Sequence, residues 1–513
     1  MSARPTLLGV PDEVFIKILS SLDFLQLVRS QLVCKQFDHA VRSSGELQYI
    51  VELGVGGLAD GPSHHPFNTF ERLNYLKSRQ LEWRDPCVEE ITAIPPLTQA
   101  HLWKLRAATL VRVSNRDPLI QGYFDVVNVV RLDPSFVEQP ESSYCLDSQY
   151  TGFELDPTQD LLVLFDRFPT LPCSSVSVSL LSLNAGTPHP EAANPSLVVP
   201  CHGKYKRGQS DSLACIVWEE TLVVQLFDGL TKFYFVDWRN GIVFAYMLRK
   251  NASARIHNLC RLGRTKFAFI EYDYNAWPQR YTLFIYSVDP QGNASSTPDH
   301  LATFNFPVMS LRTAPLTVIH SSFPPAPSQY HHIIQEKPSF ISHTSGIVQL
   351  RMIFARSTPP FGFQVFISPD VLLRAEKGPD GRPSVHTWDE WGPPNTRWIK
   401  DPLGRLTPTI RPYGYRIGFA DRILDFNPCE VGRDMCHDDS TGVDELSSRI
   451  VREPTIIFTS EAVRQNIASS LPYRETFCLA ENMSQNTLSY VDEDLYLVEL
   501  HRNGTATIRI CTI

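Results

Sequence analysis

Apolar residues recur at helical spacing near the start of the chain and at strand-like alternation further on. In the stretch VPDEVFIKILS, Val14 and Ile18 stand four apart with Phe15 and Leu19 beside them, which predicts a helix with a broad apolar stripe. Pro11 suits the first turn of that helix, where its missing N–H has no partner to lose, and Asp12 and Glu13 sit near the positive end of the helix dipole. A second short helix is predicted from Asp23, a capping residue, through Leu25, Leu27 and Val28. A third runs from about Ser30 through Leu32, Val33, Phe37 and Val41 until Ser43, Ser44 and Gly45 break it. Three short helices within about 35 residues cannot enclose a core of their own. Some of their apolar groups must therefore face a partner or the rest of the chain.

The segment GVGGLADGPSHHP, from Gly54 to Pro66, concentrates glycine and proline and predicts a turn-rich loop. From Thr69 to Trp83 the spacing of Phe70, Leu73 and Leu76 predicts a helix again. Beyond about residue 110 short alternating runs take over: FDVVNVVRL, DLLVLFD, KFYFVDW, GIVFAYML, TKFAFIEYD, YTLFIYSVD and LYLVELH. Strands reach glycine-containing turns at Gly186, Gly241 and Gly292, separated by 55 and 51 positions, and the pattern repeats around Gly504. An all-strand unit of about 50 residues has the length of a propeller blade. Further turns near Pro134 and Gly381, with a unit near residue 450, bring the expectation to about seven blades, a pair of β-sandwiches being the alternative. The stretch from about 310 to 450, with SSFPPAPSQYHH and WGPPNTRW, divides least cleanly.

The run VPDEVFIKILSSLDFLQLVRSQLVCKQFDHAV resembles the F-box motif without a gap from Val10 to Val41, with Val10 where leucine is usual and Phe37 where tryptophan is usual. The resemblance implies an adaptor-facing surface formed by Val10, Pro11, Ile16, Ile18, Leu22, Leu27, Val33 and Cys34, with Glu13 and Lys35 at its polar rim. Val14, Leu19 and Phe37 read instead as core. The Asp-Trp-Arg-Asn-Gly turn and the composition make the large region similar to divergent propellers behind F-boxes of fungal type. The chain is thus expected to be an α+β multidomain protein: a three-helix F-box at 1–50, a linker loop and connecting helix at 51–109, and an all-β, propeller-like target-binding domain at 110–513.

At 43% hydrophobic and 20% charged residues, the 513-residue chain has the composition of a folded protein. A net charge of -8, with no cluster of lysine and arginine, argues against nucleic acid. No stretch has the length of a signal peptide's apolar core or a bilayer span, so no membrane is expected and the compartment reads as cytoplasmic or nuclear. Eleven cysteines without repeated spacing read as core residues of a reducing compartment.

No nucleophile elbow, phosphate loop, zinc-protease helix or dinucleotide fingerprint is present, so no catalytic residue and no cofactor are expected. The cluster CEVGRDMCHDD, with Cys429, Cys436, His437, Asp438 and Asp439, offers one loose group where a structural zinc site has two knuckles. It reads as a polar loop with two core cysteines, and the adjacent His64 and His65 read as solvent-facing. Phe233, Tyr234, Phe235 and Trp238 read mostly as core, with alternation sending half of them into the sheet packing. The resemblance then implies the substrate-recognition subunit of an Skp-cullin-F-box ubiquitin ligase, with an Skp-type adaptor, a cullin reached through it, and a target protein as partners. The alternatives are an adaptor-bound scaffold outside a ligase, or a propeller enzyme.

Overall fold

A computed structural model describes residues 10–60, 67–84, 89–94, 102–107, 109–117, 122–131, 142–166, 175–200, 212–227, 230–249, 254–273, 280–292, 296–309, 316–321, 340–342, 346–354, 361–401, 412–419, 422–437, 448–458, 466–477, 487–492, 495–502 and 505–512. The three predicted helices are α1 (Asp12–Leu19), α2 (Phe24–Ser30) and α3 (Lys35–Ser43). Pro11 takes the N-cap of α1, one position before the expected helical turn. Asp23 caps α2 in a reciprocal box: its side chain accepts from the Gln26 N–H at 2.8 Å, and the Gln26 side chain accepts from the Asp23 N–H at 3.3 Å.

A fourth helix, α4 (Gly45–Gly56), completes the bundle and was not expected. Its Leu47 joins Phe15, Leu19, Leu27, Ala40 and Val41 in one buried cluster. It runs through Gly54 and Gly56, where the loop was predicted to begin. Gly54 serves close packing here: a Cβ at that position would lie 2.0 Å from Cγ of Phe24, so α2 crosses α4 against bare backbone. His64 and His65 lie outside the described residues.

The connecting helix α5 (Thr69–Arg84) forms as predicted and packs on α4 through Tyr49, Leu73 and Leu76. The strands start earlier than residue 110, with Glu89–Ile94. Among the described residues they form seven sheets of four or five strands and two of two strands. The first sheet holds Leu102–Arg106, Thr109–Ser114, Phe124–Arg131 and Ser142–Tyr150; the second holds Gly152–Asp156, Leu161–Phe165, Ser175–Ser182 and Ser196–Pro200. The third comprises Ser212–Trp218, Thr221–Phe227, Thr231–Asp237 and Ile242–Arg249. The fourth comprises Ala254–Arg261, Lys266–Asp273, Arg280–Ser287 and Asp299–Asn305, with Ser384–His386 added in parallel.

The fifth sheet, Leu316–Ser321, Val348–Phe354, Phe361–Ile367 and Thr396–Asp401, falls in the stretch that divided poorly. Two helices interrupt it there, α6 (Pro369–Leu373) and α7 (Trp388–Asn395), the second holding Pro393 and Pro394. The sixth departs from chain order: Arg416–Gly418, Arg422–Asp425, Tyr473–Phe477 and then Ser448–Val451 lie side by side. Helix α8 (Pro428–His437) leaves from it, so Cys429, Cys436 and His437 are helical, correcting the loop reading. Asn427 starts that helix, its side-chain oxygen accepting from the N–H groups of Cys429 at 3.0 Å and Glu430 at 3.3 Å. The seventh joins distant parts of the chain, as Thr505–Thr512 pairs with Leu495–Arg502 on one side and Glu89–Ile94 on the other.

The sheets stack in chain order, and alternation along single strands shows it. In Thr231–Asp237, Phe233 and Phe235 pack toward the fourth sheet, whereas Tyr234 and Val236 pack toward the second. Trp238, just past the strand, joins the side of the second sheet. Both faces are therefore buried, a correction to the expectation that half of these aromatics face the packing. In Leu161–Phe165, Leu162 and Leu164 face the first sheet, and Leu161, Val163 and Phe165 face the third. The fourth, fifth and sixth sheets continue this series. Each such Phe or Leu stabilises the stack by about 1.5–3 kcal/mol relative to exposure.

Ion pairs join the first strands of neighbouring sheets: Lys104 with Glu154 at 2.6 Å, and Arg106 with Asp156 at 3.5 Å. Gly186 and Gly241 adopt left-handed φ of +66° and +68° between the third and fourth strands of their sheets, and Gly292 lies at the same connection of the fourth sheet. Asp237 folds the Asp-Trp-Arg-Asn-Gly turn by accepting from the N–H groups of Arg239 at 3.0 Å and Asn240 at 3.1 Å. Pro134 and Gly504 lie outside the described residues.

Candidate adaptor interface

The core of the helical bundle decides which of its side chains remain for a partner. Phe15 and Leu19 point inward from α1, and Phe37 meets Phe15 edge-on with ring centroids 4.9 Å apart. On the other side of α1, Ile18 is 40% exposed. Val33, in the turn between α2 and α3, is 68% exposed. Pro11, Glu13 and Lys35 are exposed, and Cys34, the half-buried N-cap of α3, is extended with φ of -163°. Val10, Ile16 and Leu22 are half-buried and pack against the bundle core while keeping an outer edge.

Two expectations are corrected. Leu27 is 0% exposed, enclosed by α1, α3 and α4, and has no surface to offer a partner. Val14, assigned to the core, is 48% exposed. Its helical spacing to Ile18 is real, but the stripe is wider than the bundle can cover, and these two positions lie at its outer edge. Leu25, on α2 at 56% exposure, and Leu32, in the turn after α2 at 87%, were not singled out for docking; each has one glutamine and one apolar neighbour in sequence, which gives no clear signal.

Of the twelve strongly exposed large apolar side chains among the described residues, five fall between Val14 and Val33. Scattered exposed apolar groups need no explanation, but a concentration on one small bundle marks an interaction surface. The family model of the F-box-like domain matches residues 7–47. The chain carries an F-box-like domain. Such a domain supports adaptor binding in an Skp-cullin-F-box ubiquitin ligase, and the match reaches from just before Val10 into α4. No curated protein matches the chain. Among solved structures, one titled "AfRom2 CNH domain" matches with 8% identity over 84% of this chain and 98% of that chain, at a TM-score of 0.31.

The F-box-like bundle is fastened to the β region. At the far end of α4, Val55 O accepts from Asn427 Nδ2 at 2.9 Å, and Glu52 pairs with Arg433 of α8 at 2.8 Å. Arg84, at the end of α5, pairs with the buried Glu430 at 3.2 Å. Burial pushes the Glu430 carboxyl above the usual range, with Asp425 adding in the same direction and Arg416, Arg433 and Arg84 opposing. Between α4 and α5, Leu58–Asp60 adds to Phe340–Ser342 as an antiparallel pair. Tyr49 donates to Asp60 Oδ1 at 2.6 Å beneath the Arg72 guanidinium, and burial lifts its phenol to about 12.

No group of three or more His, Cys, Asp or Glu among the described residues could hold a metal ion; Asp438 and Asp439 lie outside them. None of the described helices is long and apolar enough to cross a membrane.

Proposed function

We propose that the chain is the substrate-recognition subunit of an Skp-cullin-F-box ubiquitin ligase, acting in the cytoplasm or nucleus. The bundle docks on an Skp-type adaptor through Ile18 and Val33, with Val10, Pro11, Ile16, Leu22 and Cys34 beside them and Glu13 and Lys35 at the rim. Val14, Leu25 and Leu32 extend that surface. The β region is a propeller of seven blades that binds a target protein. Stacking of the second, third, fourth and fifth sheets each against two neighbours supports this reading, as does a seventh sheet built from both ends of the region. The complex would bring its target within reach of a charged ubiquitin-conjugating enzyme, and the gain in rate would come from raised effective concentration. No side chain of this chain then performs chemistry.

The exposed apolar concentration from Val14 to Val33 carries the proposal. Reconstitution with purified adaptor and cullin tests it, followed by identification of proteins captured by the assembled complex and of their ubiquitination. Failure to bind adaptor would overturn the docking surface. Adaptor binding without cullin recruitment would leave a scaffold outside the ligase.

A further inference from the structure

Beyond Lys400 the sequence holds eleven arginines and no lysine, whereas up to that point it holds twenty-four arginines and twelve lysines. The change has a place in the fold. The lysine-free stretch supplies the whole sixth sheet, α8 and three of the four strands of the seventh sheet; the remaining strand, Glu89–Ile94, has no lysine either. The sixth sheet and α8 are also joined to the helices, through Asn427 to Val55, Arg433 to Glu52 and Arg84 to Glu430.

Packing accounts for some of these arginines. Arg416 lies over the Trp83 ring, 4.4 Å from its centroid, while its Nε donates to Asp425 at 3.0 Å, a double role that suits a guanidinium. Arg449 and Arg452, however, are exposed, in the kind of position where lysine is ordinarily found. On the bundle the amines are few and placed apart from these sheets. Lys17 shares a face of α1 with Val14 and Ile18, Lys35 stands at the docking rim, and Lys77 Nζ donates to Gln48 Oε1 at 3.0 Å. Adaptor docking would cover the first two. Lys204, Lys206, Lys250 and Lys337 lie outside the described residues.

We propose that the lysine-free sixth and seventh sheets keep this chain from being ubiquitinated by the ligase it assembles. The inference rests on the ligase reading above. Fastened to the bundle, the sixth sheet keeps a constant position relative to a docked adaptor, so an amine on it would meet the conjugating enzyme at a raised effective concentration. A lysine amine attacks the enzyme's ubiquitin thioester: the C–N bond forms as the C–S bond breaks, the cysteine thiolate leaves, and the amine's proton passes to solvent. A guanidinium stays protonated throughout the physiological range and cannot act in this way. Arginine thus retains the positive charge and removes the acceptor.

The test uses the full chain assembled with purified adaptor and cullin, activating and conjugating enzymes, ubiquitin and ATP. Two variants are compared with the unaltered chain. One carries Arg449→Lys and Arg452→Lys, at the sixth sheet; the other carries Arg264→Lys and Arg382→Lys, exposed positions at the fourth and fifth sheets. Self-ubiquitination should rise at least about fivefold in the first variant, with ubiquitin attached at residue 449 or 452, and by less than half as much in the second. No rise in the first, an equal rise in both, or a rise mapped only to other lysines would overturn the proposal; the last outcome would mark partial unfolding. Co-elution of the chain with adaptor and cullin is measured separately. Its absence would overturn the ligase reading and this proposal with it, whereas co-elution with ready modification of both variants would overturn the proposal alone.

Discussion

Asn427 Nδ2 donates to Val55 O at 2.9 Å, joining two residues 372 positions apart in sequence and tying the end of the fourth helix to the sixth sheet. With the Glu52–Arg433 pair beside it, this contact makes α4 common to the F-box-like bundle and the β region. A cut after residue 50 falls inside α4 and removes Tyr49 from its packing on Leu73 and Leu76. A fragment starting at residue 51 should therefore unfold at lower temperature and aggregate more than one starting at Ser44, which retains the helix cap. Comparing the two melting curves checks this; equal curves would mean that α4 belongs to the bundle alone.

Docking and core residues make opposite forecasts. Ile18→Asp and Val33→Asp should each weaken adaptor binding by at least about 2 kcal/mol, some thirty-fold, with Tm unchanged. Leu27→Ala should cost about 2–5 kcal/mol of bundle stability through the cavity it leaves. Adaptor titrations and thermal unfolding on the same three variants separate the roles.

Gly54 gives a steric test. A methyl group there would overlap Phe24, so Gly54→Ala should displace α2 and destabilise the bundle, even though alanine favours helix in isolation. Phe24→Ala in the same chain should relieve part of that loss, a coupling that a double-mutant cycle measures.

These contacts also show what the sequence made legible. The alternating runs became strands, and Asp23 announced its cap, because both signals are local. The fourth helix was obscured by its glycines, read as loop residues, when Gly54 is small to admit Phe24 from another helix. Leu27 looked like its apolar neighbours on α2, and only the arrival of α4 decides that it is enclosed. Helix α8 was hidden by acidic and cysteine residues that suggested a polar loop. The sixth sheet escaped the repeat pattern because Ser448–Val451 pairs with the later strand Tyr473–Phe477, outside chain order.

Glu430 supplies a dependence on pH. Its folded-state pKa is raised by burial, so its contribution to stability is greatest below the ordinary glutamate range and is lost as pH rises through the raised value. Glu430→Gln keeps the shape and removes the titration. The Tm of the unaltered chain relative to this variant should fall between the ordinary glutamate range and neutrality. A relative Tm that instead climbed with pH would show the Arg84 ion pair outweighing desolvation.

The pairing of Glu89–Ile94 with Thr505–Thr512 sets a timetable for biogenesis. The earlier strand leaves the ribosome with a bare edge and waits while about 410 further residues are made, some 20–80 s at ordinary elongation rates. The four main strands of each of the other six sheets lie within one stretch of chain and can assemble in that interval, whereas the seventh is complete only after Thr512 has been added. Nascent chains interrupted before that point would expose an unpaired strand, a natural substrate for chaperones and for quality-control proteolysis.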